Sequence, residues 1–283
     1  MGNSPINSNT YVEFMLKGVL ALRLGILGYG SIAKDLVHRL EEGQVSGVEP
    51  AVILRRSPSE AATKVPIVTS LDEFLTYQPE LVIESTGQDG LREFGLRILE
   101  SGISLVVVSV GALADPSFRD ALWKTAAENG AKVYFPSAAI AGLDRIAAAR
   151  EGQLDQVRLV TRKPPKAWLG TEVESRLDLA SLSEPVLVFQ GMAPEAATRF
   201  PESVNVSAAL GLAGVGMEKT EVEVWVDPHI AANHHQVFAQ GDFGSLTLEV
   251  SNRPSENPKT GVIVAMSLIK LLRNLVSPFV VGI

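Results

Sequence analysis

The stretch Leu22-Arg23-Leu24-Gly25-Ile26-Leu27-Gly28-Tyr29-Gly30-Ser31-Ile32-Ala33 constrains the fold of this chain more than any other. A short apolar run ends in Gly-x-Gly-x-x-Ala. A helical pattern follows at once, with Ile32, Leu36, Val37 and Leu40 on one face. Strand, tight turn and helix are therefore expected in immediate succession. Gly28 permits a turn that a Cβ would obstruct. Gly30 lets backbone N–H groups come close to a pyrophosphate, and Ala33 is small enough for the helix to pack on the strand. Ser31 and Ile32 open that helix, where free N–H groups point at phosphates. The turn reads as a dinucleotide site.

Further apolar runs follow at Val48 to Leu54, Ile67 to Thr69, Leu81 to Glu84, Leu105 to Val108 and Lys132 to Phe135. Helical patterns separate several of them, one expected from Leu91 to Ser101 and one capped by Asp115-Pro116. This alternation predicts a parallel, doubly wound α/β sheet of the Rossmann type over residues 21–141. In such a sheet the carboxyl ends of the strands border the ligand crevice. Ser85, Thr86 and Gly87 are thus candidate contacts to the ribose and nicotinamide side of a cofactor. The second strand ends in Arg55-Arg56-Ser57, where an acid would hold a ribose 2′-OH and an arginine suits a 2′-phosphate. Arg55 and Arg56 either tilt the site toward NADP, or toward accepting both NAD and NADP, or are two solvated charges at a strand end.

The pattern changes near Gly142. An Ala-rich helix, Leu143 to Glu151, leads into alternating strands at Gln156 to Arg162, Val186 to Gln190, Glu221 to Val226, His234 to Ala239 and Gly244 to Val250. A helix from Val204 to Leu212 lies between them. The expectation is an α+β substrate domain over residues 142–254, its sheet antiparallel or mixed with one face to the crevice. Residues 255–283 carry a last apolar helix, Val262 to Leu275, expected to pack back on the nucleotide domain. Residues 1–20 read as a polar tail, with Met15 as an alternative start.

At 283 residues, 46% hydrophobic and 20% charged, the chain has the composition of a folded, soluble protein. A formal net charge of −7 argues against nucleic acid as main partner. The absence of cysteine removes disulfides, thiolate metal sites and cysteine nucleophiles together. No apolar run is long and uncharged enough to span a bilayer. Of the four histidines, His229, His234 and His235 cluster. Their spacing is not that of a helical metal motif, so no metal site is expected. Successive strand residues face opposite ways, so only one of His234 and His235 should reach the crevice, where imidazole serves acid–base chemistry. Arg162, Lys163 and Lys166 either hold substrate carboxylates or form a basic surface loop.

Together these residues resemble the L-aspartate dehydrogenase family. The matching stretches are Gly28 to Ala33, Pro136 to Asp144, Thr161 to Pro165, Phe200 to Val206, Asp227-Pro228 with Asn233-His234-His235, and Ser255 to Thr260. Ala138 departs from the family, standing where Gly is frequent. The resemblance implies oxidation of L-aspartate to iminoaspartate, then oxaloacetate and ammonia, with NAD or NADP. It implies cofactor contacts at Ala139 and Asn205, the catalytic histidine at His235, and His234 secondary in the substrate site. It also implies a cytoplasmic homo-oligomer, a dimer first, serving NAD biosynthesis. Two other expectations are a reductase of a small dicarboxylic imine or aldehyde, and a non-catalytic nucleotide sensor.

Overall fold

The computed structural model describes residues 21–57, 63–200, 204–255 and 260–282. The tail with Met15, Pro201 to Ser203 and Glu256 to Lys259 lie outside them.

The first half of the chain forms β1 (Leu22–Leu27), α1 (Ser31–Glu41), β2 (Val48–Leu54), β3 (Ile67–Val68), α2 (Leu71–Thr76), β4 (Leu81–Glu84), α3 (Gln88–Glu100), β5 (Ser104–Val107), α4 (Pro116–Glu128) and β6 (Val133–Tyr134). The six strands make one parallel sheet in the order β3-β2-β1-β4-β5-β6. The strand order reverses between β1 and β4, so the crevice beyond their carboxyl ends is the ligand position such sheets offer. β4 is buried along its whole length, which is why its sequence is a continuous apolar run rather than an alternation. Helix starts follow their capping chemistry. Ser70 accepts a hydrogen bond from the Glu73 N–H at the head of α2, and Asp115 caps α4 with Pro116 in the first turn. α3 begins at Gln88 rather than Leu91, because Gly87 at φ +94° turns the chain directly into it.

α1 buries Ala33, Leu36, Val37 and Leu40. Burial of each large one stabilises the fold by roughly 1.5–3 kcal/mol. Ile32 is half-buried; it packs against the same apolar cluster, as expected, and also lines the crevice.

The second half comprises α5 (Leu143–Ala149), β7 (Leu154–Lys163), β8 (Val186–Met192), α6 (Ala193–Arg199), α7 (Val204–Ala213), β9 (Glu221–Val226), β10 (Asn233–Gly241) and β11 (Gly244–Asn252). Its sheet runs β11-β10-β7-β9-β8 and is mixed, with β7 and β9 parallel and the other neighbours antiparallel. α6 has no counterpart among the expected elements. Pro194 looks like a breaker there, yet it occupies the first turn, where no N–H is needed. The last helix, α8 (Ile263–Val276), packs against α1 and joins Leu24, Ile26 and Leu36 in one apolar cluster. A second cluster runs without a break from Leu27, Val107 and Leu113 to Val157, Leu159, Leu210 and Val237. α7 lies against the 3-10 turn Val110–Ala114, so the two sheets share a core. Among the described residues, no helix is long and apolar enough to cross a membrane.

Candidate active site

The glycine turn after β1 has the shape its residues demand. Gly28 sits at φ +91°, and a Cβ there would stand 3.0 Å from the Ser85 carbonyl oxygen. At Gly30 a Cβ would meet open space, and no side chain caps the first turn of α1. The first N–H groups of a helix have no partner within it. Free donors facing open space are the chemistry a dinucleotide pyrophosphate requires, so these residues fit one. Arg55 and Arg56 follow β2 at the same sheet end; Arg55 is half-buried and Arg56 exposed. Arg55 lies near the Tyr29 phenol, whose pKa burial raises against the opposing hydrogen bond to Thr63.

β4 and β5 contribute a buried acid that is not among the expected site residues. Glu84 ends β4 with no exposure at all. Its Oε1 accepts from the Thr86 N–H at 2.7 Å, the Thr86 hydroxyl at 2.9 Å and the Ser109 hydroxyl at 2.8 Å. Its Oε2 accepts from the Ser109 N–H at 3.0 Å. Ser109 Oγ in turn accepts from the Gly87 N–H at 3.0 Å. One buried carboxylate thus ties the turn Ser85-Thr86-Gly87 to the turn after β5. Burial pushes its pKa up, and the donated hydrogen bonds hold it down. The available signal was an acid closing an otherwise apolar strand.

Between the two sheets lies a cavity of about 440 Å³. Ile32, Val108 and the segment Pro136 to Ile140 line it from the first sheet; Lys163, Lys166, Asn205, Asn233, His235 and Asn252 line it from the second. Ile32, Ala139 and Asn205 are therefore together in it. Gly28, Gly30, Ser31, Arg55, Arg56, Ser85, Thr86 and Gly87 lie outside its lining, along the crevice at the carboxyl end of the parallel sheet. Asn205 Oδ1 accepts from the Gly111 N–H at 2.9 Å, which joins α7 to the turn after β5.

His235 is 4% exposed, and its Nδ1 lies 3.0 Å from Thr161 Oγ1 on the neighbouring strand β7. Burial first, then the charges of Lys163 and His234, push this imidazole from its ordinary 6.5 down to about 4. At neutral pH it is an uncharged ring, able to accept a proton. Lys163, 7% exposed at the end of β7, lies with its ammonium 5.4 Å from the centre of the Trp168 ring. Lys163, expected in a basic loop, is the last residue of β7, and Lys166 follows in the 3-10 turn Pro165–Trp168.

Arg162 and His234 are not in the cavity. They are register partners on the opposite face of the second sheet, because alternation turns them away from Lys163 and His235. Arg162 reaches Asp227 at 3.3 Å and stacks 4.7 Å from the Trp225 ring centre. His234 Nε2 lies 2.6 Å from Glu249. Asp227 also accepts from the His229 N–H, so Arg162 braces the turn leading to Asn233 in the cavity wall.

A parallel sheet with a glycine turn at its switch point, closed over by a mixed-sheet domain, makes this a Rossmann-type oxidoreductase that uses NAD or NADP. Residues 28–136 match the homoserine dehydrogenase NAD-binding domain, and residues 144–275 match the C-terminal domain of aspartate dehydrogenase. The L-aspartate dehydrogenase of Methanosarcina mazei is 36% identical, with 92% of this chain and 99% of its own covered. That of Acinetobacter baumannii is 37% identical, with 89% and 97% covered. The crystal structure of aspartate dehydrogenase from Thermotoga maritima superposes with a TM-score of 0.75 at 28% identity, covering 92% of this chain and 99% of that one. The chain belongs to the L-aspartate dehydrogenase family.

Proposed function

We propose that the chain oxidises L-aspartate with NAD or NADP and water to oxaloacetate, ammonium and the reduced cofactor, by way of iminoaspartate. The observation that carries this reading is the neutral, buried His235 beside Lys163 in a cavity walled by both sheets. When bound, the nicotinamide accepts the hydride that leaves the substrate Cα. Gly28, Gly30, Ser31 and Ile32 hold the pyrophosphate, and Arg55 and Arg56 a 2′-phosphate where there is one. Ser85, Thr86, Gly87, Ala139 and Asn205 hold the ribose and nicotinamide end.

His235, in the tautomer that donates Nδ1–H to Thr161, presents a lone pair on Nε2. It takes a proton from the substrate ammonium, freeing the nitrogen lone pair that must form the C=N bond as hydride departs. The ring releases that proton to solvent, then takes one from the water that adds to the iminium carbon and returns it to the nitrogen that leaves as ammonia. Lys163 and Lys166 hold the two carboxylates, while Arg162 and His234 act from the far face as braces. In this reading residues 21–141 bind the dinucleotide, residues 142–254 the substrate, and 255–283 close over the first unit. The family resemblance extends it to a cytoplasmic homodimer serving NAD biosynthesis.

The test is a scan of L-amino acids and D-aspartate with each cofactor, read by the absorbance of the reduced nicotinamide. L-aspartate alone should reduce both. If no amino acid does so, while a small aldehyde or imine oxidises NADPH, the reading fails. The relatives found do not favour that reductase activity, nor a non-catalytic sensor.

A further inference from the structure

We infer that Asn252 is a positioning residue for hydride transfer, tying the strand pair that carries His235 to the backbone of Ala139 in the cavity wall. The inference rests on the proposed reaction and concerns a residue that makes no part of the chemistry itself.

β10 and β11 pair in continuous antiparallel register, with His235 opposite Val250 and Asn233 opposite Asn252. Side chains two apart on a strand share a face. Asn252 therefore stands on the same face as His235, at the end of the pair nearer the first sheet's loop. Its Nδ2 donates to the Ala139 carbonyl at 2.8 Å. The same loop is gripped from the other side by α8. Ser267 Oγ accepts from the Ala138 N–H at 3.0 Å and lies 3.3 Å from the Ser137 hydroxyl. Between these two anchors Ala138 sits at φ +47°, in the left-handed region that a residue with a Cβ avoids. Such a conformation persists where its surroundings over-determine it, and such residues cluster at functional sites.

The geometry has a direct consequence. Ser267 fixes where the loop lies against the first sheet, and Asn252 fixes where it lies against His235. Without the Asn252 donor the loop keeps its hold on α8 through Ser137 and Ala138, while the Ala139 carbonyl loses its hold on the strand pair that carries the base. The reacting groups then stay present and lose their mutual alignment. Misplacement of about 1 Å costs on the order of a hundredfold in rate.

Asn252→Asp keeps the size of the side chain and removes the N–H donor; Asn252→Ala removes the donor without burying a charge, and serves if the aspartate variant melts. Each is compared with the wild type for kcat, KM for L-aspartate, NADPH affinity by fluorescence, melting temperature, and the isotope effect with Cα-deuterated L-aspartate. Both variants should lose roughly ten- to a hundredfold in kcat. NADPH affinity should fall by much less than kcat, since the hold of the glycine turn on the pyrophosphate is untouched and only the Ala139 contact at the nicotinamide end shifts. The isotope effect on kcat should rise, because hydride transfer becomes the slow step. A folded variant with wild-type kcat and isotope effect overturns the inference, as does a loss of kcat that merely follows weakened NADPH binding. A wild type that oxidises no amino acid overturns the parent reading instead, and this one with it.

Discussion

A neutral His235 makes acid sensitivity a direct probe of the site. In the unfolded chain this imidazole titrates at its ordinary 6.5; in the fold it holds off the proton down to about 4. Above 6.5 both states are uncharged and the residue adds no pH dependence. Between 6.5 and 4 the unfolded chain binds a proton that the folded chain does not, so stability falls as pH falls through that window and then levels off. A gap of two and a half units at about 1.4 kcal/mol each amounts to roughly 3 kcal/mol in full, of which about 2 are lost between pH ~7 and pH ~4.5. His235→Gln keeps a polar side chain beside Thr161 and cannot charge. Urea unfolding of both proteins at these two pH values isolates the effect, since every other group titrates alike in the pair. The stability difference between wild type and variant should move by about 2 kcal/mol toward the variant on acidification. A difference that does not move refutes the buried, neutral imidazole. Activity gives the companion readout. The acid limb of kcat/KM should lie near 4 and not near 6.5, and His235→Ala should cost about 10²–10⁴ in kcat with cofactor affinity nearly unchanged. His234→Ala should cost far less, because His234 faces Glu249 across the sheet.

Changing Arg55 and Arg56 to Ala should weaken NADP binding by about ten- to a hundredfold, the worth of roughly 1.5–3 kcal/mol in lost charge-assisted contact, and NAD binding much less; equal losses in titrations of the two cofactors would remove the arginines from the 2′-phosphate. Glu84→Gln sets an NH₂ group among donors that all point at a carboxylate, so calorimetry should show a loss of about 2–3 kcal/mol. Ala138→Gly relieves a left-handed strain of about 1–2 kcal/mol and restores part of that to the unfolded chain's freedom, so stability should change by less than ~1 kcal/mol. Ala138→Val should be clearly destabilised, and a valine variant as stable as wild type would contradict the φ of +47°.

The nucleotide half was legible because its chemistry is local. Leu22 to Ala33 carries strand, turn and helix within one short stretch, and the buried parallel strands announce themselves as unbroken apolar runs. Alternation likewise separated His235 from His234. The same rule, applied to Arg162 and Lys163, would have turned the arginine away from the cavity. Ending the expected strand at Arg162 hides this, because Lys163, the strand's last residue, then counts as loop and the alternation stops one step short. Glu84 and Asn252 were silent for a different reason. Their partners, Ser109 and Ala139, are distant in the chain, and a single polar residue ending a strand says nothing about what it will meet. α6 was hidden by Pro194, whose cost depends on a position within the helix that composition alone does not reveal.

The last helix sets the order in which this protein can be made. Val264, Leu268 and Leu272 of α8 pack with Leu24, Ile26 and Leu36, residues that leave the ribosome long before α8 does. At about 5–20 residues per second the nascent nucleotide half waits roughly 10–50 s with that apolar face bare. Over that interval it is open to chaperones and to other nascent chains. Emergence of α8 is what covers that face, and a chain that stops before Ile263 leaves Leu24, Ile26 and Leu36 without this cover.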